Sequence, residues 1–207
     1  MSGARPALFL DRDGIINVDH GYVATRERLD YVPGIADLVA AANRAGWAVV
    51  IVTNQSGVAR GYFPESQMHA FHDMIRADLA SQGARIDAVY HCPHLPGAAV
   101  AQFDVDCDCR KPRPGMLLRA IREMDLDPAR SAMIGDKPSD VEAARARVSQ
   151  AICFRAATCW SSPPRACRRF RSRGCRAASR HSRPRPLRES ASSAPARPRR
   201  RARCGLR

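Results

Sequence analysis

The stretch "FLDRDG" sets Asp11 and Asp13 two residues apart where an apolar run ends. In an extended chain, residues i and i+2 project to the same side. Two carboxylates held side by side repel each other unless a cation lies between them, and a hard, oxygen-seeking ion such as Mg2+ suits the pair. Taken alone, the pattern is a weak signal and reads more readily as a solvated turn after a strand. Two more strand-like runs end in related chemistry. "VVIVTNQSG" closes on the hydroxyl of Thr53, then Asn54, Gln55, Ser56 and Gly57, and "AMIGDKPSD" closes on Asp136, Lys137 and Asp140. In open α/β sheets, sites form at the carboxyl ends of the strands. Three such ends supplying carboxylates, a hydroxyl and a lysine describe one site for a cation and a phosphate group.

A second constellation lies in "HCPHLPGAAVAQFDVDCDCRKP", residues 91–112. Cys92-x-His94 is followed by a gap, 95–106, and then by Cys107-x-Cys109. Three thiolates and one imidazole suit a closed, tetrahedral, structural Zn2+; free thiols are the alternative. Arg110 and Lys111 follow directly. Asp104, Asp106 and Asp108 read as solvated, and His91 reads as a core residue as readily as anything else. Cys153, Cys159, Cys167, Cys175 and Cys204 show no ligand spacing.

The elements that must position these residues alternate along the chain. Apolar runs at 7–10, 48–52, 87–91, 131–135 and 151–154 predict strands, while periodic segments from Ile35 to Gly46, from Pro64 to Gly83, after Pro114 and from Ser139 predict helices. Such alternation predicts an α/β fold: an open, mostly parallel, Rossmann-like sheet with helices on both faces, here with a zinc-stapled loop.

Beyond Phe154 the pattern stops. Residues 155–207 hold 17 Arg, no Lys and one acidic residue, Glu189, whereas residues 1–154 hold 17 Lys plus Arg against 19 Asp plus Glu. The formal charge of +14 therefore belongs to the tail, and the body, at −2, offers no basic groove for nucleic acid. We expect a domain over 1–154 and a disordered Arg/Pro/Ser-rich tail over 155–207. Arginine without lysine is what a GC-rich gene yields out of frame, so we read a frameshift near residues 147–158. A genuine Arg-rich arm for nucleic acid is the alternative. No apolar run is long enough to span a bilayer, and "MSGARPALFL" is too short in apolar residues for a secretory signal. We expect a cytoplasmic monomer.

In this order, "DRDG", Thr53, Lys111 and "GDKPSD" resemble the haloacid dehalogenase superfamily of phosphotransferases. The longer segments "FLDRDGIINVDHGYV", "VVIVTNQSGVARGYF", "CDCRKPRPGMLL" and "MIGDKPSD" are similar to its histidinol-phosphatase-like branch, over about residues 7–154. Within that branch, "VDHGYV" favours a heptose bisphosphate as substrate, with histidinol phosphate as the alternative and a DNA 3′-phosphate further off.

The resemblance implies Asp11 as the nucleophile forming a phospho-aspartyl intermediate, and Asp13 as general acid and then base. It implies Mg2+ on the Asp11 side chain, the Asp13 backbone carbonyl and Asp136, with Asp140 in support. Thr53 and Lys111 would meet phosphoryl oxygens, and Arg110 and Lys137 would contact the substrate further out. Asp19, His20, Gly21 and Tyr22, with Asn54, Gln55 and Ser56, match sugar-facing positions. Cys92, His94, Cys107 and Cys109 would hold structural Zn2+. One residue departs from the pattern: the superfamily usually has Thr or Ser after D-x-D-G, and here it is Ile15. That hydroxyl commonly orients the acid/base aspartate; the alternative is that Ile15 packs and the backbone holds Asp13.

Overall fold

The computed structural model describes residues 4–145 and 147–153. The chain divides into two units, Met1–Ser162 and Pro163–Arg207, and every described residue belongs to the first. The expected disordered tail lies outside the described residues.

In chain order the elements are β1 (Ala7–Leu10), α1 (Ile35–Arg44), β2 (Ala48–Asn54), α2 (Ser56–Ala59), α3 (Glu65–Ser81), β3 (Ala88–Cys92), α4 (Gly115–Glu123), β4 (Ala132–Gly135), α5 (Pro138–Ala144) and β5 (Gln150–Cys153). The strands form one parallel sheet ordered β3-β2-β1-β4-β5. The predicted α/β architecture is the one observed.

β1 and β2 are apolar almost throughout because both faces of the sheet are covered. Alternation sends Leu8, Leu10, Val49 and Ile51 to one face, where they meet Ile35 and Val39 of α1 and Phe71, Ile75 and Leu79 of α3. Ala7, Phe9, Val50 and Val52 face the other way, against Met116, Leu117 and Ala120 of α4 and Ala143 and Ala144 of α5. Each fully buried large side chain, such as Phe9 or Ile51, contributes about 2 kcal/mol. A third cluster joins Ala24 of the β1–α1 loop to Val58 and Ala59 of α2, Met68 of α3 and Phe103 of the β3–α4 loop. It ties the two long loops that carry chemistry.

The helix boundaries follow their stop signals. After α1, Gly46 takes φ +79°, a left-handed conformation that glycine adopts without steric cost. β2 runs two residues past its apolar run, because Thr53 and Asn54 stay in register with His91 and Cys92 of β3. The single-turn α2 has no counterpart in the sequence reading; four residues are too few to show a period. Among the described residues, no helix is long and apolar enough to cross a membrane.

Strand order reverses at β1: β2 and β3 extend to one side, β4 and β5 to the other. Side chains leaving the carboxyl ends of β1 and β4 therefore meet in a crevice.

Candidate active site

Asp11 leaves β1 at that crevice, its backbone N–H still donating to Ile134 O of β4 at 3.0 Å. Its side chain is almost fully buried. Lys111 Nζ donates to Asp11 Oδ1 at 2.9 Å and to Val52 O at 2.8 Å, and lies 2.7 Å from Asp140 Oδ1. Lys111 is itself 4% exposed, so these carboxylates meet their cation away from water. Burial pushes the Asp11 carboxyl above its ordinary pKa, with Lys111 opposing the rise.

Asp136 follows β4. One oxygen of each of Asp11, Asp136 and Asp140 falls within 4.8 Å of the others. Asp136 Oδ1 is buried without a hydrogen-bond partner, and burial pushes this carboxyl up to about 6 despite the neighbouring Lys137. A bound cation relieves both conditions, so this donor set fits a hard divalent ion. Two glycines let the carboxylates approach. A Cβ on Gly14, which sits at φ +88°, would lie 2.5 Å from Asp136 Oδ2, and one on Gly135 would lie 2.2 Å from the Asp140 Cβ. Asp140 also accepts from Lys137 N at 2.9 Å, so its side chain satisfies a backbone donor at the start of α5.

Asp13 is held by side chains. Arg12 Nη2 donates to both its oxygens at 3.0 Å, Asn17 Nδ2 to Oδ1 at 3.0 Å, and Gln55 Nε2 to Oδ2 at 3.1 Å. Arg12 is fully buried, stacked over Phe71 at 5.1 Å and donating to Val23 O at 2.8 Å. Its Nη1 is 3.0 Å from His72 Nε2, which must accept because a guanidinium has no acceptor. Burial, with Arg12 adding to it, pulls the His72 pKa down to about 2, so this ring is neutral. Ile15 packs into the core at 4% exposure. Of the two sequence alternatives its packing is the one seen, but side chains rather than backbone hold Asp13.

Gln55 Nε2 also donates to Thr53 Oγ1 at 2.8 Å, which leaves the hydroxyl hydrogen of Thr53 to point elsewhere. Asn54 turns inward: its Nδ2 donates to Lys111 O and its Oδ1 accepts from Lys111 N, each at 3.0 Å. Ser56 opens α2. Lys137 Nζ pairs with Asp19 Oδ2 at 3.1 Å. Burial opposes the Lys137 charge, yet Asp19 and Asp136 outweigh it and hold the pKa above the ordinary lysine value. Lys111 and Lys137 are the chain's two lysines, and both stand here. His20, Gly21 and Tyr22 line a cavity of about 430 Å3 together with Arg28, Tyr62 and Gln67.

The β3–α4 loop gathers its predicted ligands. Cys109 Sγ is 3.2 Å from Cys107 Sγ and 3.4 Å from His94 Nδ1, and Cys92 Sγ is 3.5 Å from Cys107 Sγ. Tetrahedral Zn–S bonds of about 2.3 Å place sulfurs about 3.8 Å apart, close to these separations. The hydrogen bond from Cys92 draws the Cys109 thiol down to about 5, while the same contact and burial push the Cys92 thiol up. Arg110 Nη1 donates to His94 O at 3.3 Å.

Arg12, Asn17 and His72 were not legible as site residues. A lone Arg between two Asp reads as a solvated charge, and the apolar "ALFL" before it is the one hint that it starts in the core.

An acidic crevice at the switch point of an open parallel sheet marks an α/β enzyme with strand-end chemistry. The chain belongs to the haloacid dehalogenase-like hydrolase family, whose pattern it matches over residues 5–146. Among its relatives, the D-glycero-beta-D-manno-heptose-1,7-bisphosphate 7-phosphatase of Yersinia pestis is 47% identical over 146 residues, covering 70% of this chain and 78% of that protein. The protein of the same name from Rhodopseudomonas palustris is 51% identical over 142 residues, covering 69% and 79%. The crystal structure of D,D-heptose 1,7-bisphosphate phosphatase from B. bronchiseptica, complexed with magnesium and phosphate, is similar at TM-score 0.63 and 37% identity, covering 70% of this chain and 78% of that one.

Proposed function

We propose that the protein is a Mg2+-dependent phosphatase that removes the C7 phosphate of D-glycero-D-manno-heptose 1,7-bisphosphate, leaving a heptose 1-phosphate for nucleotide activation. The observation that carries this reading is Asp11, seated at the switch point between Lys111 and the Asp136 carboxylate. Sequence relatives that bear that activity in their names support the substrate.

In this reading Asp11 attacks phosphorus and becomes the phospho-aspartate. Lys111 Nζ, held by Val52 O and Asp140, pairs with a phosphoryl oxygen as negative charge spreads over the group. The Thr53 hydroxyl, with Gln55 on its oxygen, turns its hydrogen toward another. Asp13 gives its proton to the departing sugar oxygen and later takes one from the water that opens the phospho-aspartate. Arg12, Asn17 and Gln55 fix its direction for both transfers. Asp11, Asp136 and the Asp13 carbonyl would hold Mg2+, which supplies charge neutralisation between carboxylate and phosphate.

Asn54 acts by fixing the Lys111 backbone. His20, Gly21 and Tyr22 face the sugar in the cavity beside them, with Asp19, Ser56, Arg110 and Lys137 at its approaches. Zn2+ on Cys92, His94, Cys107 and Cys109 would set the position of Arg110 and Lys111. The same reading makes the protein a cytoplasmic monomer with a small-molecule substrate.

The test is phosphate release from heptose 1,7-bisphosphate, histidinol phosphate and a 3′-phosphorylated oligonucleotide, with Asp11→Asn as control. The bisphosphate is expected to be preferred and Asp11→Asn to be inactive. Preference for histidinol phosphate would replace the substrate, and an active Asp11→Asn would remove the mechanism.

A further inference from the structure

On the sheet's α3 face, beside the Arg12–His72 pair and one residue from Cys92, Glu65, His69 and His91 come together as a third donor set. Glu65 and His69 stand four residues apart on α3, so they share one side of the helix. His91 rises from the edge strand β3, its Nε2 3.1 Å from Glu65 Oε1 and its ring edge-on to His69 with centroids 4.9 Å apart. One ligand atom from each of the three lies within 4.8 Å of the others. His91 and Cys92 are neighbours in a strand and so face opposite ways. Cys92 looks toward α4 and the thiol cluster, whereas His91 looks toward α3.

We propose that Glu65, His69 and His91 form a further metal site, selective for a borderline divalent ion such as Zn2+ rather than for Mg2+. Two imidazoles and one carboxylate are the donors that zinc takes and that magnesium, which prefers oxygen, does not. Three protein ligands leave a coordination position for water. His72 does not fill it: its ring is 6.1 Å from that of His91, and its Nε2 is committed to Arg12. His69 is exposed and the side chains of Glu65 and His91 are 38% and 19% exposed, so an ion reaches the site from solvent without unfolding. Adjacent residues of one strand thus serve two metals on opposite faces of the sheet.

The test is Zn2+ titrated calorimetrically into the full-length protein carrying one zinc per chain, in excess Mg2+, beside His69→Ala and Asp11→Asn. Truncating the exposed His69 leaves the core untouched. Its loss is expected to remove one equivalent of Zn2+ binding, or to weaken it by at least roughly tenfold, while Asp11→Asn retains it. The difference between wild type and His69→Ala separates this cluster from the active site and from the tail's own cysteines. His91→Gln, which keeps an amide facing Glu65, is expected to lose the same equivalent. Identical zinc isotherms for wild type and His69→Ala would overturn the site and leave a plain His91–Glu65 hydrogen bond.

Discussion

Lys111 and Asp11 stand 100 residues apart in the chain and 2.9 Å apart in the fold. The same ammonium holds Asp140 at 2.7 Å. Removing it leaves two buried carboxylates without their cation. Lys111→Met is expected to cost about 3 kcal/mol of stability near neutral pH and to lower turnover roughly a thousandfold. Because burial already favours protonated Asp11, the stability deficit shrinks as the pH falls. Urea unfolding at two pH values checks this; a deficit that is constant with pH contradicts it.

In the proposed reading, Asp136 sets the pH dependence of metal binding. Its pKa is about 6 in the fold against 3.8 ordinarily. Between those values the folded chain binds more protons than the unfolded one, so the metal-free protein loses stability as pH rises through that window and levels off above it. Mg2+ requires the ionised carboxylate and acts in the opposite sense. Thermal melts with and without Mg2+ are expected to show a larger gain at about pH 7.5 than at about pH 5. Equal gains would exclude Asp136 as a ligand.

Ile15→Thr restores the hydroxyl that the superfamily usually carries. Asp13 is already held by Arg12, Asn17 and Gln55, and Ile15 packs with Ile16, Val23 and Val39. The variant is therefore expected to keep its turnover within about threefold while losing about 1 kcal/mol of stability. A large rise in kcat would show that the side-chain cradle is a poor substitute.

Cys109→Ser tests the staple. Cys109 precedes Arg110 and Lys111 directly, and Arg110 is anchored on His94 O. Loss of Zn2+ is expected to lower kcat without removing any group that touches phosphorus. Wild-type turnover in the zinc-free variant would refute the role.

The tail prediction is genetic. We propose that residues beyond about 154 are read out of frame. Translating the gene in its other two frames is expected to give an amphipathic segment in place of the arginine-rich one; its absence from both frames would end the idea.

Much of this was readable in the residues. Buried strands announce themselves as apolar runs because both sheet faces are covered, and the strand-end Asp11, Thr53 and Asp136 follow from where those runs stop. The thiol cluster follows from ligand spacing. Interactions across the fold were not readable. Asn54 and Gln55 carry amides that suit a sugar as well as a backbone, and nothing local says that they turn inward to Lys111 and Asp13. His91 was ambiguous in its own segment, since its partners Glu65 and His69 arrive from a helix some twenty residues earlier.

Arg12 has a consequence for how the chain matures. Its guanidinium finds its lid in Phe71 and His72, which lie on α3. A nascent chain that ends before α3 has already made Asp13 and its amide partners Asn17 and Gln55, yet Arg12 still lacks the side chains that cover it. The guanidinium beside Asp13 is thus covered late, by a helix made sixty residues downstream, and the finished cradle depends on that docked helix as well as on the motif that spells it.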